Sequence, residues 1–258
     1  MMVSVPPSIA AIQGCRSLWL HGAGLAGQTW QPLCADLPHA VAPDLPGHGD
    51  AAPTIPPTVE SYANRLLPML EEGMVLIGHS LGGMVALELA ARSPIPLGAL
   101  VMVEAVATVR DRWMGRVGPS IARPFLKCLP MRALVQTSGF RQSQAASDEA
   151  RRWLSRLDRN QILGAFDAAR SYDGRGHLAE IDLPTLVIVG AENQDTHRGA
   201  RFVVKSIKNA EFQVLRGGHL LHIDNPDGLR NAIGSFLLRR VQQGSHALTQ
   251  SVDTGIQQ

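Results

Sequence analysis

The chain has 258 residues, of which 45% are hydrophobic and 18% are charged, and its net charge is +2. These values predict a soluble globular protein with one core that can carry an insertion, and they argue against disorder over most of its length. The small net charge, without any block of consecutive Lys and Arg residues, argues against nucleic acid as a partner.

The beginning of the chain lacks the basic and apolar regions of a signal peptide, and no stretch is apolar for long enough to cross a membrane. We therefore expect a cytoplasmic protein without a membrane span. The three cysteines, Cys15, Cys34 and Cys128, are far apart in the sequence. Their odd number and spacing predict inert, buried thiols rather than disulfides.

Short apolar runs recur along the chain, and a helical stretch follows each of them. The runs are Ser17–Leu20, His39–Ala42, Met74–Ile77, Ala99–Val103, Thr185–Val189 and Phe212–Leu215. Alternating strands and helices predict an α/β fold with a mostly parallel sheet covered on both faces. Polar or glycine-containing segments follow these strands, so they are expected to meet in one crevice at the carboxyl ends of the sheet.

The alternation stops over residues 107–178, where the pattern is helical and contains prolines. We interpret this segment as a helical cap over a core formed by residues 1–106 and 179–241. The cap contains 13 Lys and Arg residues against 6 Asp and Glu residues, whereas the rest of the chain has an acidic excess. The polar segment 242–258 has no apolar period and is predicted to be a disordered tail.

The motif Gly78-His79-Ser80-Leu81-Gly82 lies between a predicted strand and a predicted helix. This context is typical of a nucleophilic serine on a tight strand-to-helix turn, where glycines two residues away leave room for the strained backbone. The helix N-terminus also favours negative charge that develops beside the serine. Ser80 is therefore the predicted nucleophile.

A nucleophilic serine needs a base, and the order along the chain in this kind of site is serine, acid, histidine. His219 follows the last predicted strand and is the expected base, while His222 is interpreted as a pocket or packing residue. The oxyanion of an acyl-transfer intermediate needs two backbone N–H donors, for which Leu81 and Ala23 are the candidates. Beside them, Gly22 and His79 are expected to contact the substrate.

Several motifs together resemble the α/β-hydrolase superfamily. They are His21-Gly22-Ala23-Gly24, Trp30, Asp44-Leu45-Pro46-Gly47-His48-Gly49, Gly78-His79-Ser80-Leu81-Gly82-Gly83 and Gly218-His219. The sequence is most similar to the small serine carboxylesterases that include pimeloyl-acyl-carrier-protein methyl ester esterase. The resemblance implies ester hydrolysis by a Ser-acid-His triad, with no metal or organic cofactor and with the acyl group under the cap.

The triad acid is the point at which the sequence departs from the family. The family acid usually stands three residues after the glycine that ends the strand Thr185–Val189, and here that residue is Asn193, which is no carboxylate. Glu104 ends the preceding strand, in a segment that resembles the acid position of one haloalkane dehalogenase subgroup. We favour Glu104, and Asp195 and Glu192 remain alternatives. In the second interpretation Glu104 binds loop N–H groups and Asp195 is the acid.

The function predicted on this basis is hydrolysis of a small-molecule carboxylic ester through an acyl-enzyme on Ser80. The basic cap suggests docking of acyl carrier protein, and a solvated basic surface is an equally good explanation. Thioesterase and carbon–carbon bond hydrolase activities use the same triad. A small-molecule receptor on the same fold is the non-enzymatic alternative, because a fold alone does not prove activity.

Overall fold

The computed structural model describes residues 7–110 and 143–254, with side chains up to residue 240. Six strands form one sheet in the order β2-β1-β3-β4-β5-β6. The strands are β1 (Ser17–Leu20), β2 (Ala40–Val41), β3 (Val75–His79), β4 (Ala99–Val103), β5 (Thr185–Gly190) and β6 (Ala210–Leu215). All five neighbouring pairs are parallel. The predicted α/β fold with a mostly parallel sheet is confirmed.

The sheet has two covered faces because successive side chains of a strand point in opposite directions. On one face, Leu18 and Leu76 pack against helices α3 (Val59–Leu66), α4 (Leu81–Arg92) and α7 (Gln194–Ser206). On the other face, Trp19 and Ile77 pack in a second apolar cluster with α1 (Pro7–Gln13), α2 (Gln31–Cys34) and α9 (Pro226–Thr254). Burial on both faces explains why the strands read as continuous apolar runs rather than as alternating ones.

Further helices lie in the connection between β4 and β5. The described part of this insertion contains α5 (Gln144–Leu154), α6 (Arg159–Ser171) and a 3-10 helix (Gly174–Glu180). Ser143 caps α5 by accepting a hydrogen bond from the Ala146 N–H, and Asp158 forms a capping box with Gln161 at α6. Such caps satisfy N–H groups that have no partner within the helix. The first part of the predicted cap lies outside the described residues.

The backbone of α9 is helical to Thr254 and therefore includes most of the segment for which the sequence predicts disorder. The sequence of this segment contains alanine, leucine and glutamine, which are compatible with a helix, so its polarity does not exclude one. A short helix, α8 (Leu221–Asp224), precedes α9. No helix in the described ranges is both long and apolar enough to span a membrane.

Two of the three cysteines lie within the described part of the chain. Cys15 and Cys34 are free thiols, and both are half-buried rather than fully buried. Burial raises the pKa of each thiol, which disfavours the nucleophilic thiolate. Cys128 lies outside the described residues.

Candidate active site

Ser80 lies on the turn between β3 and α4, at the carboxyl edge of the sheet. Its backbone has φ 52° and ψ −115°, a conformation that is strained for a residue with a side chain. The flanking glycines make the turn possible. A methyl group on Gly78 would lie 2.2 Å from the Gly82 carbonyl oxygen, and one on Gly82 would lie 2.2 Å from the Leu20 oxygen. The strand, turn and helix that the motif predicts are therefore all present.

The loop after β1 lies directly against the serine. A methyl group on Gly22 would lie 3.3 Å from Ser80 Cβ and 2.6 Å from His79 Nδ1, so only glycine allows this approach. His48 Nε2 accepts a hydrogen bond from the Gly24 N–H at 3.1 Å and holds the loop in place. Among the described residues, no hydrogen bond uses the N–H of Ala23 or Leu81. Neither group therefore has a hydrogen-bond partner in the described part of the chain, which is a requirement for a donor that is to bind an oxyanion.

His219 lies in the loop that follows β6, where Gly217 has φ 127°. The next N–H, from Gly218, donates to Asp224 Oδ2 at 2.8 Å and fixes the loop to α8. The His219 carbonyl oxygen accepts a hydrogen bond from His79 Nε2 at 2.9 Å. These contacts place His219 beside the residue that precedes the serine.

The carboxylate in contact with His219 belongs to Glu104. Glu104 Oε2 lies 3.2 Å from His219 Nδ1, and the Glu104 side chain is fully buried whereas that of His219 is 29% exposed. Glu104 also has a positive φ, 51°, at the end of β4. Burial of a charged group is costly unless the group has a partner of opposite charge or a hydrogen-bond donor. His219 is such a partner for the Glu104 carboxylate.

The end of β5 and the residues that follow it supply three further hydrogen bonds to Glu104. The Gly190 N–H donates to Oε1, while the Asn193 amide and the Thr196 hydroxyl donate to Oε2, the hydroxyl at 2.8 Å. Asn193 thus lies beside Glu104. Asp195 and Glu192, the alternative acids, are both exposed at the start of this segment. The geometry therefore favours Glu104 over either alternative as the partner of His219.

Four buried histidines surround the site. Burial, reinforced by neighbouring histidines, lowers the pKa of His79 and His21 well below the ordinary value. The pKa of His48 is also lowered by burial. His222 packs between Trp30 and His79, and burial lowers its pKa to about 3. These four buried histidines are therefore neutral near pH 7.

A cavity of about 190 Å³ contains both Ser80 and His219. Gly22, Ala23 and His79 line it from the core. From the insertion, Ala150 and Leu154 of α5 and Phe166 of α6 complete the described wall. Of the predicted substrate-contacting and oxyanion residues, Gly22, His79 and Ala23 thus line this cavity, whereas Leu81 is not among its lining residues. Within the described ranges, no group of three or more His, Cys, Asp or Glu residues is arranged to hold a metal ion.

Comparison with known proteins assigns the chain to a family. The model of the Alpha/beta hydrolase family matches residues 18–232. The chain belongs to the α/β hydrolase family. A pimeloyl-[acyl-carrier protein] methyl ester esterase of Pectobacterium atrosepticum is 30% identical over 235 residues, which cover 84% of this chain and 92% of that protein.

Two other α/β hydrolase relatives illustrate the range of the similarity. A protein of the same name from Aromatoleum aromaticum is 45% identical, but over only 87 residues, which are 33% of this chain and 34% of that protein. The solved structure of MenH from S. aureus has a TM-score of 0.78 at 18% identity and covers 93% of this chain and 97% of that one. This second likeness concerns the fold alone. Membership of the family confirms the predicted hydrolase class.

Sequence reasoning in this α/β hydrolase misses two residues that donate hydrogen bonds to Glu104, which are Asn193 and Thr196. Asn193 is no carboxylate and so does not qualify as the acid, and no motif in the sequence points to Thr196. The order of the strands was the available signal, since β4 and β5 are neighbours and the residues that follow them meet at one edge. Another missed contact joins Tyr172 to Glu88, a buried carboxylate of α4, at 3.0 Å.

Proposed function

We propose that the protein is a serine carboxylic-ester hydrolase in which Ser80 is the nucleophile, His219 the base and Glu104 the acid. The observation that carries this proposal is the strained Ser80 in one cavity with His219, whose Nδ1 lies 3.2 Å from the buried Glu104 carboxylate. A histidine that donates Nδ1–H to a carboxylate keeps Nε2 free to accept the serine proton.

The reaction then follows in two steps. Ser80 attacks the ester carbonyl while His219 takes its proton, and the negative oxygen is bound by the N–H groups of Ala23 and Leu81. His219 returns the proton to the alcohol that leaves. In the second step, His219 activates a water molecule, which hydrolyses the acyl-enzyme and releases the acid. Glu104 stabilises the imidazolium in both steps.

The test compares wild-type protein with Ser80→Ala on p-nitrophenyl esters of increasing acyl length. We expect activity to fall by at least about 1,000-fold, because the residual catalysis comes only from binding and the oxyanion donors. A fluorophosphonate probe should label the wild type on Ser80. Unchanged ester hydrolysis by Ser80→Ala would refute the proposal, and failure of the probe to label Ser80 would favour the receptor interpretation.

A second proposal concerns the substrate. The Pectobacterium relative is named as an esterase of acyl-carrier-protein-linked methyl esters. Residues 107–178, which we propose as the cap, have a basic excess of 13 to 6 and suit an acidic carrier protein. In the described part, the guanidinium carbons of Arg152 and Arg156 lie 5.5 and 4.4 Å from the centroid of the Trp153 ring.

Reversing the charge of two cap arginines tests whether they bind the carrier protein without taking part in ester hydrolysis. Arg152→Glu combined with Arg156→Glu should raise KM for an acyl-carrier-protein methyl ester about 10-fold or more and leave KM for a free methyl ester unchanged. An equal effect on both substrates would contradict carrier docking. A panel that includes thioesters and carbon–carbon bond substrates distinguishes the other triad activities. The cytoplasmic location stays a prediction from the sequence.

A further inference from the structure

Asn193 makes an unusual use of its position at the start of a helix. It is the N-cap residue of α7, where an asparagine side chain ordinarily accepts a hydrogen bond from the first turn, yet it forms no such cap. Its amide instead donates to Glu104 Oε2. The Asn193 side chain therefore contacts a buried carboxylate instead of capping α7. The stability of the helix does not explain this contact.

The direction of the Asn193 amide follows from its neighbours. A carboxylate only accepts, so the amide atom that faces Glu104 Oε2 must be the NH₂ group. The same Nδ2 lies 3.1 Å from His219 Nδ1. When His219 carries a proton on Nδ1, both nitrogens are donors, and their closeness reflects a shared acceptor. Asn193 and His219 therefore converge on one oxygen of Glu104.

Thr196 gives this oxygen a third donor. Its hydroxyl lies 2.8 Å from Glu104 Oε2 and 3.2 Å from the Asn193 carbonyl oxygen, and its single proton is best used on the charged acceptor. The Gly190 N–H occupies the other carboxylate oxygen. With these donors in place, rotation of the carboxylate would break several charge-assisted hydrogen bonds at once. The loop after β5 thus orients the acid that extends from β4.

We propose that Asn193 is a positioning residue that holds the Glu104 carboxylate toward His219, and that positions 104 and 193 form an exchangeable acid and amide pair. The inference rests on the proposed triad. It follows from the distances: a carboxylate oxygen in place of Asn193 Nδ2 would lie about 3.1 Å from His219 Nδ1. This is hydrogen-bond distance for an imidazole N–H.

The exchange reverses the hydrogen bond between positions 104 and 193, keeps the one from the Gly190 N–H, and gives His219 and Thr196 new acceptors at position 193. In Glu104→Gln combined with Asn193→Asp, the new amide at position 104 donates to the new carboxylate at position 193, which also accepts from His219. The oxygen of the new amide still accepts from the Gly190 N–H. The Thr196 hydroxyl can donate to the backbone carbonyl of residue 193, from which it is 3.2 Å away. The net charge of the cluster is unchanged.

The experiment measures kcat and KM for a p-nitrophenyl ester in four variants beside the wild type and Ser80→Ala. Asn193→Ala should lower kcat about 10-fold with little change in KM, because one hydrogen bond to a charged group is lost. Glu104→Gln with Asn193→Asp should be at least about 10-fold more active than Glu104→Gln alone. The matched control adds Gln194→Asp to Glu104→Gln, since Gln194 is exposed and bonds the Ala191 oxygen.

Recovery with Asn193→Asp and none with Gln194→Asp supports the inference. Equal activities of the two double variants would overturn it, and so would a wild-type kcat for Asn193→Ala. Circular dichroism checks that each variant folds. If Glu104→Gln with Asn193→Asp does not fold, the kcat of Asn193→Ala alone tests whether Asn193 positions Glu104. Ser80→Ala separates the two proposals: if it abolishes activity while the exchange fails, only the role of Asn193 is refuted.

Discussion

The change of Glu104 to Gln is the most demanding test of the site, because the two side chains have nearly the same shape. Three donors now meet at Glu104 Oε2, from Asn193, Thr196 and His219. An amide offers one oxygen and one NH₂ group. If its oxygen stays with the Gly190 N–H, its NH₂ group faces three donors; if it turns around, the Gly190 N–H loses its acceptor.

Either arrangement stops His219 from donating Nδ1–H to a carboxylate. The first favours the wrong tautomer, and the second offers His219 a neutral amide oxygen that lacks the charge needed to stabilise the imidazolium. We expect kcat to fall by about 1,000- to 10,000-fold, equivalent to about 4 to 5.5 kcal/mol in the barrier, with little change in KM. The assay is hydrolysis of p-nitrophenyl acetate at pH 7.5. A crystal structure of the fluorophosphonate adduct would show which carboxylate His219 contacts.

Asp195→Asn is the matched control, since it makes the same chemical change at an exposed residue in the first turn of α7. It should keep activity within about 3-fold of the wild type and cost at most about 1 kcal/mol through the helix dipole. The reasoning is refuted if Asp195→Asn loses most of the activity while Glu104→Gln keeps it.

Three further changes test the surroundings of the site. In Gly24→Ala, a residue at φ 77° receives a methyl group 2.5 Å from Leu154 Cδ2, so kcat/KM in the ester assay should fall about 10-fold or more. His222 has a pKa of about 3, against about 6.5 unfolded, so the unfolded state gains a proton first as the pH falls. Between pH 7 and 4.5, urea unfolding of the wild type should therefore lose about 2 to 3 kcal/mol more than that of His222→Leu. Tyr172→Phe removes a hydroxyl donor from buried Glu88 and should lower the free energy of unfolding by about 1 to 2 kcal/mol without changing kcat.

Gly24→Ala has a matched control variant, and each of the three changes has an outcome that would contradict its prediction. Gly176→Ala adds a methyl group with nothing within 4 Å and should leave kcat/KM unchanged. A wild-type kcat/KM in Gly24→Ala would show that the loop after β1 is not held as described. Parallel pH dependences for His222→Leu and the wild type would mean that His222 titrates normally when folded. An unchanged stability of Tyr172→Phe would show that Glu88 does not depend on that hydroxyl.

The sheet could be predicted from sequence because each strand is a short apolar run followed by a turn. Burial on both faces made these runs continuous, and the predicted bounds differ from the structure by only a few residues. Strand β2 is shorter than predicted, at Ala40–Val41, and β6 begins earlier, at Ala210. Both lie at the sheet edges, where one neighbouring strand is missing and the apolar pattern is weaker.

Ser80 and His219 could be found because each lies in a local motif next to a strand. Glu104 was harder, since a single carboxylate after a strand has no motif, and its choice depended on the resemblance of its segment to the acid position of one haloalkane dehalogenase subgroup. The contact of Asn193 with Glu104 could not be predicted from sequence, because the two residues are 89 positions apart and meet only in the folded structure. Local patterns identify residues that build their own turn, whereas a hydrogen bond between two loops depends on how strands pair.

Glu104 and His219, the proposed acid and base, are held by different parts of the sheet. Glu104 extends from β4, which is paired on both sides, and its N–H bonds the Ile188 carbonyl oxygen at 2.8 Å. His219 follows β6, an edge strand with a single neighbour. Amide hydrogen exchange should therefore be slow at Glu104, where it requires opening of the central sheet, and faster along β6. Heating would then separate the base from its acid by local fraying before the domain unfolds, so activity should decline before the global transition.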